Sequence, residues 1–263
     1  MKYSLVNGVK SEAFPKGRGI CVCCNTATIA KCGNRIVHHW AHKSLKHCDN
    51  WWENETEWHR NWKDHFPKEW QEVVHFDEET GEKHIADVKT DKGVILEFQN
   101  SPISTDEIIA RENFYKDLIW IVNGLHFKKN FFILDKLPNP NAEFMQDIVL
   151  TPRKKSQKGR LFWRISENPD YEPYSSLVRA YGRDEIKEEI EEHYIGHHFY
   201  DWVRPRKYWY DAKCTLLIDF GDDFLWKLQH SYHGEEKDTY VGGGPGCIQQ
   251  ILKSDFIKQH NKL

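Results

Sequence analysis

The sequence predicts a mixed α/β chain whose centre runs helix, three strands, helix, strand, with a small Cys/His-rich module ahead of it and an α+β extension behind. Three observations lead there. Trp58, Trp62 and Phe66 recur every four residues, the spacing of one helix face. Two strand-like runs, 84–89 and 94–99, flank Thr90-Asp91-Lys92-Gly93, a hairpin signal. Cys21, Cys23, Cys24 and Cys32 crowd together instead of spreading out as a disulfide framework does.

A chain of 263 residues can bury a full core as one large domain or several small ones. With 37 Lys and Arg against 40 Asp and Glu, charge nearly cancels, so any phosphate-binding face has to be local. The first ten residues lack the apolar run of a signal peptide, and no stretch approaches the ~18 apolar residues of a membrane span. The expected setting is cytoplasmic, with no membrane partner, and in a reducing compartment clustered cysteines point to metal. Changes in texture suggest three segments: a zinc-binding module at 1–48, a core at 49–137 and an extension at 138–263. The last boundary rests on Leu137-Pro138-Asn139-Pro140-Asn141, where two prolines oppose regular structure.

In the first segment, Cys21 and Cys24 have the C-x2-C spacing that lets one tight turn aim two thiolates at a tetrahedral ion. His38-His39-Trp40-Ala41-His42 follows. Spacing favours His38 with His42, and Cys32 and Cys48 are further candidates, so the ligand set stays open at this level. In the core, Asn54 with Glu57 three residues on reads as a capped helix start. Glu55, His59 and Lys63 form a polar stripe beside the aromatic one. Strands are expected at 71–76, 84–89 and 94–99. Ser104 with Glu107 opens a second helix carrying Ile108, Ile109 and Tyr115, and 118–122 reads as a buried strand.

The hairpin carries the chemistry. If Asp91-Lys92-Gly93 is a three-residue loop with Gly93 in the left-handed conformation, Thr90 pairs with Val94 and Asp87 falls opposite Glu97. Cross-strand Cβ atoms lie about 4.5–5.5 Å apart, where like charges destabilise a sheet unless something compensates. A divalent cation is one compensation. Two carboxylates with a carbonyl such as that of Phe98 form a hard oxygen set suited to Mg2+ or Mn2+. Gln99 shares the face of Glu97 and has an amide donor for water or phosphate, but no positive charge. Glu55 and His59 are candidates for a further carboxylate and a ligand or proton-transfer group.

Several ordered motifs across residues 3–135 resemble one known family. Gly19-Ile20-Cys21-Val22-Cys23-Cys24, Ala30-Lys31-Cys32-Gly33 and His39-Trp40-Ala41-His42-Lys43 are similar to the N-terminal segment of the competence protein CoiA-like family. Glu55 to Lys63, His84 to Val88, Glu97 to Ser101, and Arg111 with Tyr115 are similar to its nuclease core. The family is a branch of the PD-(D/E)XK nucleases. The resemblance implies a PD-(D/E)XK nuclease-like core (helix, three-strand meander, helix, strand) and Mg2+-dependent phosphodiester hydrolysis. It makes Asp87 and Glu97 the metal acids, puts Gln99 where the superfamily has Lys, and places Glu55 and His59 on the first helix of the site. It assigns structural Zn2+ to Cys21, Cys24, His39 and His42. Lys63, Ser101, Arg111 and Tyr115 lie in the same motifs and are expected on the substrate.

Beyond 138 no catalytic motif is visible. Arg153 to Arg160 is basic, and Arg204, Arg206 and Lys207 stand among Trp202, Tyr208, Trp209 and Tyr210, a mixture that suits phosphate gripping and base stacking or an aromatic core. The acidic run 184–192 suggests an exposed helix, and 215–220 with 224–228 a hairpin. Gly242 to Gly246 lacks the Lys of a phosphate-binding P-loop. The expected function is metal-dependent hydrolysis of DNA. The uncharged Gln99 keeps open a second reading, a nucleic-acid-binding or scaffold protein on the same fold, and the extension is a candidate surface for a protein partner.

Overall fold

The computed structural model describes residues 1–34, 36–43, 48–51, 53, 55–150, 162–168, 179, 181–229 and 246–261. The expected cap Asn54, the basic stretch 153–160 and most of the glycine loop 242–246 lie outside these residues. The chain groups into two compact units, one of 1–123, 211–216 and 254–263, the other of 124–210 and 217–253. The Cys/His segment and the core thus share one unit, and a division falls after Asn123. The 138–140 prolines sit inside the second unit, where Leu137 is fully buried and donates its N–H to His197 O.

The first unit begins with an antiparallel sheet, order β2-β1-β3-β4-β5, made of β1 (Tyr3–Val6), β2 (Val9–Glu12), β3 (Arg18–Ile20), β4 (Ala27–Lys31) and β5 (His39–His42). Helix α1 (Glu57–Lys63), strands β6 (Gln71–Phe76), β7 (Lys83–Lys89) and β8 (Ile95–Gln99), helix α2 (Thr105–Tyr115) and strand β9 (Leu118–Asn123) follow, in the order the sequence predicts. Strands β6, β7 and β8 pair antiparallel. Strand β9 returns parallel to β8 through α2, as a parallel connection requires.

Helix α1 starts later than its sequence suggests. Thr56 is the N-cap, its hydroxyl taking the His59 N–H while the His59 ring answers the Thr56 N–H, so a histidine fills the place Glu usually takes in a capping box. The aromatic stripe does its expected work: Trp62 is buried and stacked on Phe98 at 5.6 Å. Ser104 caps α2 through Glu107 N, although Ile109 points outward. Every residue of β8 is buried, because both faces of this inner strand are covered.

The second unit holds β10 (Phe131–Lys136), β11 (Ile148–Leu150), β12 (Phe162–Arg164), helix α3 (Lys187–Glu192), β13 (His197–Trp202), β14 (Thr215–Asp219) from Leu217 onward, β15 (Phe224–Gln229) and β16 (Cys247–Leu252). Their main sheet runs β10-β13-β16-β15-β14. The expected hairpin forms between β14 and β15, with Gly221 at φ +81° in its turn. Trp202 and Trp209 are core residues, 2% and 1% exposed, so these two rings are closed to base stacking. Helix α4 (Lys253–His260) belongs from Ser254 onward to the first unit, where its Phe256 is edge-on to Trp62. No helix among the described residues is long and apolar enough to cross a membrane.

Candidate functional site

The hairpin between β7 and β8 forms in the register read from sequence. Val88 pairs with Leu96 and Lys89 with Ile95, Thr90 N–H donates to Val94 O at 2.9 Å, and Gly93 has φ +85°. The same register sets Asp87 across from Glu97. Each carboxylate takes a backbone N–H from the facing strand: Glu97 Oε1 accepts from Asp87 N at 3.1 Å, and Asp87 Oδ2 from Phe98 N at 3.0 Å.

Two cations of the chain itself face the pair. Lys63 Nζ lies 3.0 Å from Asp87 Oδ1, and Arg111 Nη1 3.0 Å from Glu97 Oε2, so each acid already faces its own cation. Burial first, then the Asp87 charge, push the Glu97 carboxyl up to about 8 against the pull of Arg111.

Lys63 is 2% exposed and also reaches Glu72 Oε1 at 3.2 Å and Glu55 Oε2 at 3.3 Å. Burial opposes its charge, yet Asp87, Glu55 and Glu72 together hold its pKa well above that of a free lysine. Glu72 comes from a break in the β6 ladder: between the pairs Gln71/Val88 and Val73/Ala86 its backbone takes φ +46°, turning the carboxylate to Lys63 and to the Lys2 and Tyr3 N–H groups. Burial works to raise its pKa, and Lys63 with those N–H groups overcomes this, leaving it at about 2.

Glu53 is the second residue that periodicity misses, lying in irregular chain before α1. It accepts the Ser101 hydroxyl at 2.6 Å, the Gln99 amide, and the His59 ring at Nε2, 3.4 Å away. Burial works against its charge, but the bonds from His59 and Ser101 prevail and keep its pKa below the usual value. The Thr56 N–H donates to His59 Nδ1, and Nε2 faces Glu53 Oε2. Both ring nitrogens are thus engaged, which fits a positioning part better than the expected proton transfer.

Asp49, Glu53, Glu55, His59, Lys63, Glu72, Asp87, Glu97, Gln99 and Arg111 line one small, partly enclosed cleft. Of the residues expected on substrate, Lys63 and Arg111 are buried against acids, and Ser101 is exposed with its hydroxyl on Glu53. Tyr115 is buried among Trp51, His75 and Phe114, outside the cleft lining, and burial pushes its hydroxyl pKa far up.

The N-terminal cluster consists of Cys21, Cys24, His42 and Cys48, with one ligand atom of each within 4.8 Å of all the others. Among the described residues it is the one group of three or more Cys, His, Asp or Glu ligands drawn this close. Cys21 and Cys48 sulfurs are 3.7 Å apart, far from a disulfide's ~2 Å but close to the ~3.8 Å edge of a tetrahedron with 2.3 Å zinc–sulfur bonds. Cys24 Sγ lies 3.4 Å from His42 Nε2. This Cys3His set can hold a metal such as zinc.

His39 is outside the set, and Cys48 stands where it was expected. On β5 His39 pairs with Lys31 and His42 with Thr28; three residues apart on a strand, their side chains leave opposite faces, and His39 Nδ1 sits 2.9 Å from Val37 O. His38, Cys23 and Cys32 are also outside the group. Asp49, next to Cys48, accepts from Ile85 N, Trp51 N and the His84 ring, tying the cluster to β7. No family model matches this chain, and neither a curated protein nor a solved structure does.

Proposed function

We propose that the chain is a divalent-metal-dependent nuclease that hydrolyses DNA phosphodiester bonds at the Asp87–Glu97 hairpin, on a PD-(D/E)XK-type core steadied by zinc. The observation that carries this reading is the meeting of these two acids, on adjacent strands lining one partly enclosed cleft, with a buried lysine 3.0 Å from one of them. The ligand atoms that Asp87 and Glu97 offer are oxygens, the preference of Mg2+ and Mn2+. Asp87 and Glu97 would hold the ion. When bound, it lowers the pKa of water and offsets charge on the phosphate. Lys63, reaching the acids from α1, supplies the positive charge that Gln99 lacks. Glu72 and Glu55 hold that ammonium, while Thr56 and Glu53 fix the His59 ring. Cys21, Cys24, His42 and Cys48 are the zinc ligands of this reading.

One observation favours the second reading, a nucleic-acid-binding or scaffold protein: Lys63 and Arg111 already lie 3.0 Å from the oxygens of the two acids. Cleavage of single- and double-stranded DNA with Mg2+ or Mn2+, by wild type and Asp87→Ala, separates the two. Cutting by wild type alone is expected. Equal cutting by both would refute the site, and equal DNA affinity with no cutting by either would favour the binding protein.

A further inference from the structure

Position 99 was expected to offer a donor, and the structure turns it the other way. Gln99 Nε2 has two partners, Glu53 Oε1 and the Ser101 carbonyl at 3.0 Å, and both accept only. Reversing the amide would set its carbonyl oxygen against two acceptors, so the orientation is fixed by chemistry. Oε1 is what remains, on a side chain 3% exposed that lines the cleft beside Asp87 and Glu97. Among the described residues nothing donates to it. Glu53 makes this orientation hold, since it also takes the Ser101 hydroxyl and faces the His59 ring, whose other nitrogen is fastened to Thr56.

A neutral oxygen suits this place. Asp49, Glu53, Glu55, Glu72, Asp87 and Glu97 all line the cleft, so a further carboxylate would add repulsion where an amide oxygen adds a hard ligand without charge. Alternation along β8 sets Gln99 on the same face as Glu97. A donor at 99 is also redundant, with Lys63 Nζ already at Asp87.

We propose that Glu53 is a positioning residue that locks the Gln99 amide with its oxygen toward the cleft, making Gln99 Oε1 the third protein ligand, after Asp87 and Glu97, of the divalent cation. The inference rests on the reading that those two acids bind such an ion.

Calorimetric titration of the zinc-loaded full chain with MnCl2 tests it, on wild type, Asp87→Asn, Gln99→Lys and Glu53→Gln, with zinc content and melting temperature as checks on folding. Gln99→Lys keeps a partner in Glu53 but has no acceptor, and is expected to bind Mn2+ roughly 10–100-fold more weakly, the usual range for disturbing a ligand's support. Glu53→Gln, which frees the Gln99 amide to turn over, is expected to weaken binding by a similar factor. Wild-type affinity in Gln99→Lys would overturn the ligand role, and wild-type affinity in Glu53→Gln the positioning role. If Asp87→Asn also bound Mn2+ as wild type does, the two-acid reading itself would fall; weakening in Asp87→Asn alone would sink only this proposal. A variant that fails to fold leaves the decision to the other.

Discussion

Lys63→Met is the most informative single change for the electrostatics of the cleft. Methionine keeps most of the volume and removes the charge, leaving Glu55, Glu72 and Asp87 without the ammonium that lies 3.0–3.3 Å from each. Holding Glu72 at about 2 in place of its ordinary 4.5 corresponds to about 3 kcal/mol of stability. Lys63 carries the largest share of that, beside the chain's amino terminus and the Lys2 and Tyr3 N–H groups, and removing one partner of a buried pair costs about 3–5 kcal/mol. At about 2–4 °C per kcal/mol for a unit of this size, the melting temperature should fall by roughly 6–20 °C at neutral pH. A folded pKa below the unfolded one gives stability that is present above about 4.5 and lost as pH falls toward 2. Wild type should therefore weaken steeply over that range and Lys63→Met more gently. Urea unfolding followed by circular dichroism at several pH values reads both effects. A variant that melts within 2 °C of wild type (~1 kcal/mol or less) and keeps the same acid dependence would refute the three-carboxylate cradle.

Other expectations follow from the cluster and the histidine beside it. Elemental analysis should find one zinc per chain in wild type and in His39→Ala but much less in Cys48→Ser; the reverse pattern would restore the histidine read from sequence. Burial works to lower the His84 pKa, but Asp49 and Glu82, each 2.8 Å from a ring nitrogen, raise it above 6.5. That stability is fully present below about 6.5 and is lost as pH rises through the folded value, so the gap between wild type and His84→Leu should shrink from pH 6 to pH 9 in the same urea experiment. A gap that widens would mean the ring is neutral in the folded chain.

The hairpin was legible because its signals are local: a left-handed glycine and a side-chain period of two fix which residues face one another. The helix stripe was legible for the same reason, down to Trp62 on Phe98. What escaped depends on contacts without a period. Glu53 reaches Gln99 and Ser101 from irregular chain, and Glu72 reaches Lys63 only because its backbone turns to φ +46° within a strand. Cys48 joins Cys21 across a gap that no short motif spans, whereas the attractive His39 fails on strand alternation. Even the logic of the acid pair was half visible: two carboxyl groups do face each other, but Lys63 and Arg111, brought in from two helices, reach them as well. The segments 211–216 and 254–263 return to the first unit from far along the chain, a folding-back that composition does not announce.

The central claim is that two facing carboxylates let this chain cut DNA with a divalent ion. The rate of plasmid cleavage against Mg2+ concentration, for wild type and Glu97→Gln, measures this most directly. Wild type should saturate with Mg2+ and stop with a chelator, and the variant should lose at least about a hundredfold in rate, the order of removing a main charge-stabilising group. Identical Mg2+ dependence and rate in the two proteins would contradict it.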